Sequence, residues 1–219
     1  MDDSDDYIIE YLALDIDAEQ YSWPADDPAG FIHDATGKVL LVRDPGETVE
    51  IGRFSVKQID VENAMAAGIG LLELFDISQA TIGYYDLYDD DTDFTGRVQK
   101  ALGGWEYAPS SPNLLVLDRL LIYPKYRGQK WGLAALARMI QRFQHGAGLV
   151  VLKPFPLQHE GGMTRDDKVK DGLTEFSCTL DYGRRRLRRY YKELGFIDLK
   201  GTGYMVRTPE GGPLPSSML

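Results

Sequence analysis

Apolar positions in this chain fall into short, evenly spaced runs. The most continuous is Asn113 to Ile122 (NLLVLDRLLI), broken only by Asp118 and Arg119, the pattern of a central strand covered on both faces. Gly148 to Leu152 (GLVVL) is a second buried strand, ended by Pro154 and Pro156. Lys38 to Arg43 and Thr48 to Ile59 read as strands split by the turn Asp44-Pro45-Gly46. Tyr7 to Leu14 alternates loosely and reads as another strand. Phe196 to Leu199 and Tyr204 to Arg207 form a closing hairpin, with Gly201 and Gly203 in its connection.

Elsewhere the period is helical. Val61, Met65, Ile69, Leu72 and Phe75 share one face, although Gly68 and Gly70 weaken that helix. Asp93 is placed to cap a short helix reaching Leu102. Leu133, Leu136, Ala137, Ile140 and Phe143 line the buried face of a further helix. Gly183 to Leu194 reads as a basic helix closed by Gly195 in the left-handed C-cap position. Residues 157–182 are polar and irregular, with Gly161-Gly162 as a hinge. Residues 1–6 and 208–219 read as flexible tails. These elements predict one mixed α/β (α+β) domain over residues 1–219.

Composition narrows the chemistry. The 219 residues are 43% hydrophobic, enough for a sizeable core, and carry a net charge of −10. That charge disfavours nucleic acid as a partner and suits a cationic substrate. Cys178 is the single cysteine, so no internal disulfide forms, which suits a reducing cytoplasm. The acidic start Met1 to Asp6 lacks the basic and apolar regions of a signal peptide. No apolar run approaches the roughly 20 residues of a membrane span. His33, His145 and His159 lack metal-ligand spacing, so no metal site is expected.

The strand at 114–122 leads through Tyr123-Pro124 into Tyr126-Arg127-Gly128-Gln129-Lys130-Trp131-Gly132, and a helix follows at once. The first N–H groups of a helix lack intrahelical acceptors, and the macrodipole places positive charge there. Strand, tight loop and helix start therefore make an anion site suited to a pyrophosphate.

Two motifs in this region resemble the GNAT superfamily, the general N-acetyltransferases that use acetyl-coenzyme A. Ile122 to Leu133 is similar to the family's strand followed by an Arg/Gln-x-x-Gly-x-Gly/Ala loop. Tyr190-Tyr191-Lys192-Glu193-Leu194-Gly195-Phe196 is similar to its late helix ending. The resemblance spans residues 113–206. If Arg127 opens the loop motif, Lys130 stands where the family prefers its first glycine. It either narrows the approach to phosphate or contributes its ammonium. A second frame, Gln129 to Ala134, fits without mismatch. The helical reading of 61–103 also departs from the family's usual early order of elements.

The resemblance implies a twisted mixed sheet flanked by helices, with strand 114–122 splaying from 148–152 at the acetyl-coenzyme A site. It implies coenzyme contacts at Leu121, Ile122, Arg127, Gly128, Gln129, Lys130, Trp131, Gly132, Leu133 and Ala134. It further implies direct attack by a primary amine, without Cys178 as nucleophile, and Tyr191 as the acid that protonates the departing thiolate. A core aromatic role is the alternative for Tyr191. Asp118, read as sharing a face with Leu120 and Ile122, is the candidate base. Its alternative is a structural ion pair. Arg184, Arg185, Arg186, Arg188 and Arg189 are either a solvated face or a phosphate contact. Two rival functions stay open: a non-catalytic acyl-coenzyme A-binding module, and a toxin-type acetyltransferase of protein or aminoacyl-tRNA amines. A homodimer is compatible with the sequence.

Overall fold

The computed structural model describes residues 9–17, 23–24, 26–43, 46–89, 93–104, 109–162, 164–175 and 178–211. The expected tail 1–6, residues 212–219 of the C-terminal one, Tyr7-Ile8 of the first expected strand and Asp44-Pro45 of the first turn lie outside them. The architecture is a mixed α/β fold around a seven-stranded sheet ordered β1-β2-β3-β4-β5-β7-β6. The strands are β1 (Ile9–Asp17), β2 (Ile32–Arg43), β3 (Glu47–Ile59), β4 (Leu114–Ile122), β5 (Leu149–Leu152), β6 (Ile197–Asp198) and β7 (Met205–Arg207). The first four form an antiparallel meander, β4 and β5 are parallel, and β7 returns antiparallel to β5.

Alternation along β4 explains why its pattern is so apolar. Leu115 and Leu117 face one core, with Val39, Phe54 and Val56 and the inner face of α4 (Trp131–Phe143). Leu114 and Val116 face a second core on the other side of the sheet. That second core is filled from α1 (Val61–Ala66), α2 (Leu71–Phe75) and α3 (Gly96–Leu102). Among the described residues, the α-helices before β4 thus stand between β3 and β4 in the chain, and a short 3-10 turn at Pro28–Phe31 precedes β2. Among the described residues, no helix is long and apolar enough to cross a membrane.

Several expectations are corrected. The single helical face over 61–75 is two helices, because Gly68 adopts φ +85° and ends the first. Met65 and Leu72 are exposed, and Ala64, Leu71 and Leu74 are buried in their place. Thr95, not Asp93, stands at the N-cap of α3. The segment 157–182 is more ordered than its polarity suggested. It holds α5 (Arg165–Lys170), opened by a Thr164–Asp167 capping box, and the first turn of α6 (Leu180–Lys192). Helix α6 begins at Leu180, capped by the Thr179 side chain. Gly183 lies inside it, where a Cβ would stand 2.5 Å from Pro156 Cγ. That glycine serves close packing and does not start the helix. At the helix end Gly195 is left-handed, φ +79°.

Candidate functional site

The pairing of β4 with β5 stops at Leu117↔Leu152. Beyond it β4 continues to Ile122 alongside β3, while the chain after β5 turns away through Pro154 and Pro156. Residues 118–122 therefore border an open fork. In such a strand alternate residues aim N–H and C=O groups at the free edge.

The fork opens into a cavity of about 380 Å³, with Leu120, Leu121 and Ile122 on one side, Phe155 to Gln158 on another and Tyr190 and Tyr191 of α6 on a third. The start of α4 closes its end. Among the described residues, nothing accepts from the N–H groups of Gly128, Gln129, Lys130, Trp131 and Gly132. This gives five amides at a helix start, the arrangement that holds anions. The N–H groups of Leu133 and Ala134 instead donate to Lys130 O, at 2.9 and 3.2 Å, and their side chains are buried in the core. Those two expected contact residues are supports of the loop. The Gln129 side chain is occupied by Trp131, whose Nε1 donates to Gln129 Oε1 at 2.8 Å.

Arg127 is also engaged. Its guanidinium donates to the carbonyls of Ile122 (2.7 Å), Gly172 (2.9 Å) and Asp171 (3.1 Å), and burial lowers its pKa. It anchors the loop to the segment after α5. Arg53 of β3 pairs with the buried Asp171 carboxylate, and Arg119 of β4 pairs with Glu160. Three arginines from the sheet side thus hold the 157–175 segment against the fork. The sequence offered no periodic signal for this clamp, because its acceptors lie more than 40 residues away in the chain.

Lys130 is the only non-glycine residue with positive φ among the described residues, at φ +61°. It takes the backbone conformation that a glycine would adopt without strain. Its ammonium meets Glu193 of α6 at 2.9 Å. Gly132 is a glycine because of α6: a Cβ there would lie 2.6 Å from Tyr190 Oη.

Both Tyr190 and Tyr191 of α6 line the cavity. Burial pushes the Tyr190 phenol up to about 12, opposed by the Leu133 N–H and aided by Glu193. Burial also raises the Tyr191 phenol well above its ordinary value, with Tyr190 adding to the effect. Tyr191 packs edge-on against Phe196, their centroids 6.4 Å apart, which fixes its ring. Cys178 lines the same cavity and accepts from Gln158 Nε2 at 3.2 Å.

Asp118 stands apart from the expected geometry. Ser55 pairs with Arg119 and Val56 with Leu117, so Asp118 is the extra residue of a β-bulge. The bulge shifts the alternation: Leu117, Leu120 and Ile122 all pack toward the α4 core. Asp118 does not share their face. It is exposed on the other side and accepts from Ser55 Oγ at 3.0 Å. The structural ion pair is not seen among the described residues.

Asp118 lines a second cavity, of about 830 Å³, on the sheet face opposite α4. Along the arginine-rich α6, Arg188 and Lys192 pair with Asp198, Arg184 covers the Phe155 ring, and Arg186 lines the fork cavity. Among the described residues, no three His, Cys, Asp or Glu side chains gather as a metal-binding group. Compared with known proteins, the chain matches no family model, no curated protein and no solved structure.

Proposed function

We propose that the protein is an acetyl-coenzyme A-dependent N-acetyltransferase of the GNAT type, acting on a primary amine. The observation that carries this reading is the β4–β5 fork, which opens onto five acceptor-free amides at one end and Tyr191 at the other. A pantetheine arm is an extended chain of amides, and an open strand edge is its natural partner. The pyrophosphate fits the amides of Gly128 to Gly132, with the Lys130 ammonium beside them. The sheet order and the two sequence motifs support the same assignment. The position of the early α-helices, between β3 and β4 among the described residues, departs from the family's usual order.

The chemistry follows from what the residues can hold. A neutral amine attacks the thioester carbon, and the carbonyl oxygen takes up negative charge. An outward N–H of β4 near Leu121 or Ile122 stabilises that charge. The carbon–sulfur bond then breaks, and the electron pair leaves on sulfur. Because burial holds the Tyr191 phenol protonated, it is a permanent donor to that sulfur. The same burial makes outright ionisation of the phenol uphill. The balanced step is therefore an exchange, in which Tyr191 gives its proton to sulfur and regains one from the nitrogen. On this reading the amine approaches the fork from the cavity that Asp118 lines, since Asp118 is the first β4 residue beyond the pairing with β5. The direct test is turnover of acetyl-coenzyme A in an acetylation screen of cell-extract amines. Accumulation of acetylated product supports the reading, and tight coenzyme binding with no acceptor contradicts it.

A further inference from the structure

The floor of the cavity at Asp118 is a row of side chains crossing four strands. Asp17 of β1 stands opposite Thr36 of β2, and Thr36 stands opposite Ser55 of β3. Ser55 in turn donates to Asp118 of β4. Residues directly opposite share a face of the sheet. The row therefore has hydroxyls in its middle and a carboxylate at each end, with Asp15 beside Asp17 on the same face. The cations of this wall are already engaged elsewhere. Lys38 pairs with Glu50, Arg53 with Asp171 and Arg119 with Glu160. Among the described residues, Asp15, Asp17 and Asp118 have no ion-pair partner, although all three are exposed to the groove. Lys38 stands opposite Asp15 in the register but pairs with Glu50, so the wall's charges without an ion-pair partner among the described residues are the three carboxylates.

We infer that this groove selects an elongated amine with at least two positive charges, an inference that rests on the transferase reading. The reacting nitrogen lies at Asp118, next to the fork, and a second ammonium lies between Asp15 and Asp17. Three interstrand spacings separate β1 from β4, about 14 Å, so the guest spans on the order of 10 Å between its cationic centres. Thr36 and Ser55 offer hydroxyls to secondary nitrogens along the way. At Asp118 the reacting ammonium passes its proton to the carboxylate and becomes the neutral nucleophile. A singly charged amine reaches only one end of the row.

Calorimetry on the full chain tests this, with coenzyme A bound and spermine or butylamine as the titrant. Spermine is expected to bind at least about tenfold more tightly, since each exposed charge contact adds a modest increment. The preference is expected to shrink as salt is raised. In the double variant Asp15→Asn/Asp17→Asn it is expected to collapse toward parity, with an unchanged melting temperature because both side chains are exposed. Equal affinity for the two amines, or a preference that survives the double variant, overturns the inference. Coenzyme A titrated alone keeps the two readings apart. Spermine preference without coenzyme binding retains the groove and overturns the transferase. Coenzyme binding without spermine preference overturns the groove alone.

Discussion

Tyr190 and Tyr191 sit one residue apart in the same cavity, and the account gives them different work. Tyr191→Phe removes the donor to the departing sulfur at nearly constant volume. Turnover is expected to fall by about 10²–10⁴-fold, with coenzyme affinity little changed. Tyr190→Phe removes the hydroxyl that stands against Gly132 at the phosphate end. Coenzyme affinity is expected to weaken about 2- to 12-fold, the worth of one neutral hydrogen bond, with saturated turnover nearly intact. Steady-state kinetics with calorimetry separate the two, and a reversed pattern rejects the assignment. Lys130→Gly relieves a left-handed conformation and gives up one exposed ion pair with Glu193. The melting temperature is expected to rise slightly, by the equivalent of about 0.5 kcal/mol. Coenzyme affinity is expected to fall and to lose part of its salt dependence. Tighter coenzyme binding in this variant assigns Lys130 a purely steric role.

At the scale of elements, the legible parts were those with a strong local pattern. The double-sided apolar run of β4, the closing hairpin and the α4 stripe each follow from periodicity alone. The bulge at Asp118 was not legible, because it arises from a register shift between β3 and β4. Strict alternation then assigned Asp118 to the wrong face. The break between α1 and α2 was signalled by Gly68 and Gly70, yet the apolar spacing pointed to one continuous helix. In the 157–175 segment, order comes from long-range arginine contacts and from a local cap whose motif, Thr164-x-x-Asp167, is short. Asp167 is held below the ordinary carboxylate range by its hydrogen bonds to Thr164. A carboxyl with a lowered folded pKa stabilises above its unfolded value of about 4 and loses that contribution as pH falls through it. Amide exchange in α5 is therefore expected to accelerate below about pH 4, before the sheet opens. Uniform acceleration across the chain contradicts a local cap.

The whole molecule carries a shared alkaline limit. Tyr84, Tyr88, Tyr123, Tyr190, Tyr191 and Tyr204 all have raised pKa values, with burial as the first cause in each. A raised phenol leaves the folded state holding more protons than the unfolded state above about pH 10. Stability is then full below that value and falls as pH rises past it. Alkaline unfolding is expected to coincide with tyrosinate absorbance in one steep transition, and smooth titration at an ordinary phenol value contradicts this. At neutral pH the central claim is that acetyl-coenzyme A lies in the β4–β5 fork with its pyrophosphate on the start of α4. Hydrogen exchange with and without acetyl-coenzyme A tests it most directly. The account predicts slowed exchange at the amides of Gly128 to Gly132 and along β4 from Leu120 to Ile122, with β1 and β2 unchanged. No protection, or protection confined to elements away from the fork, contradicts it.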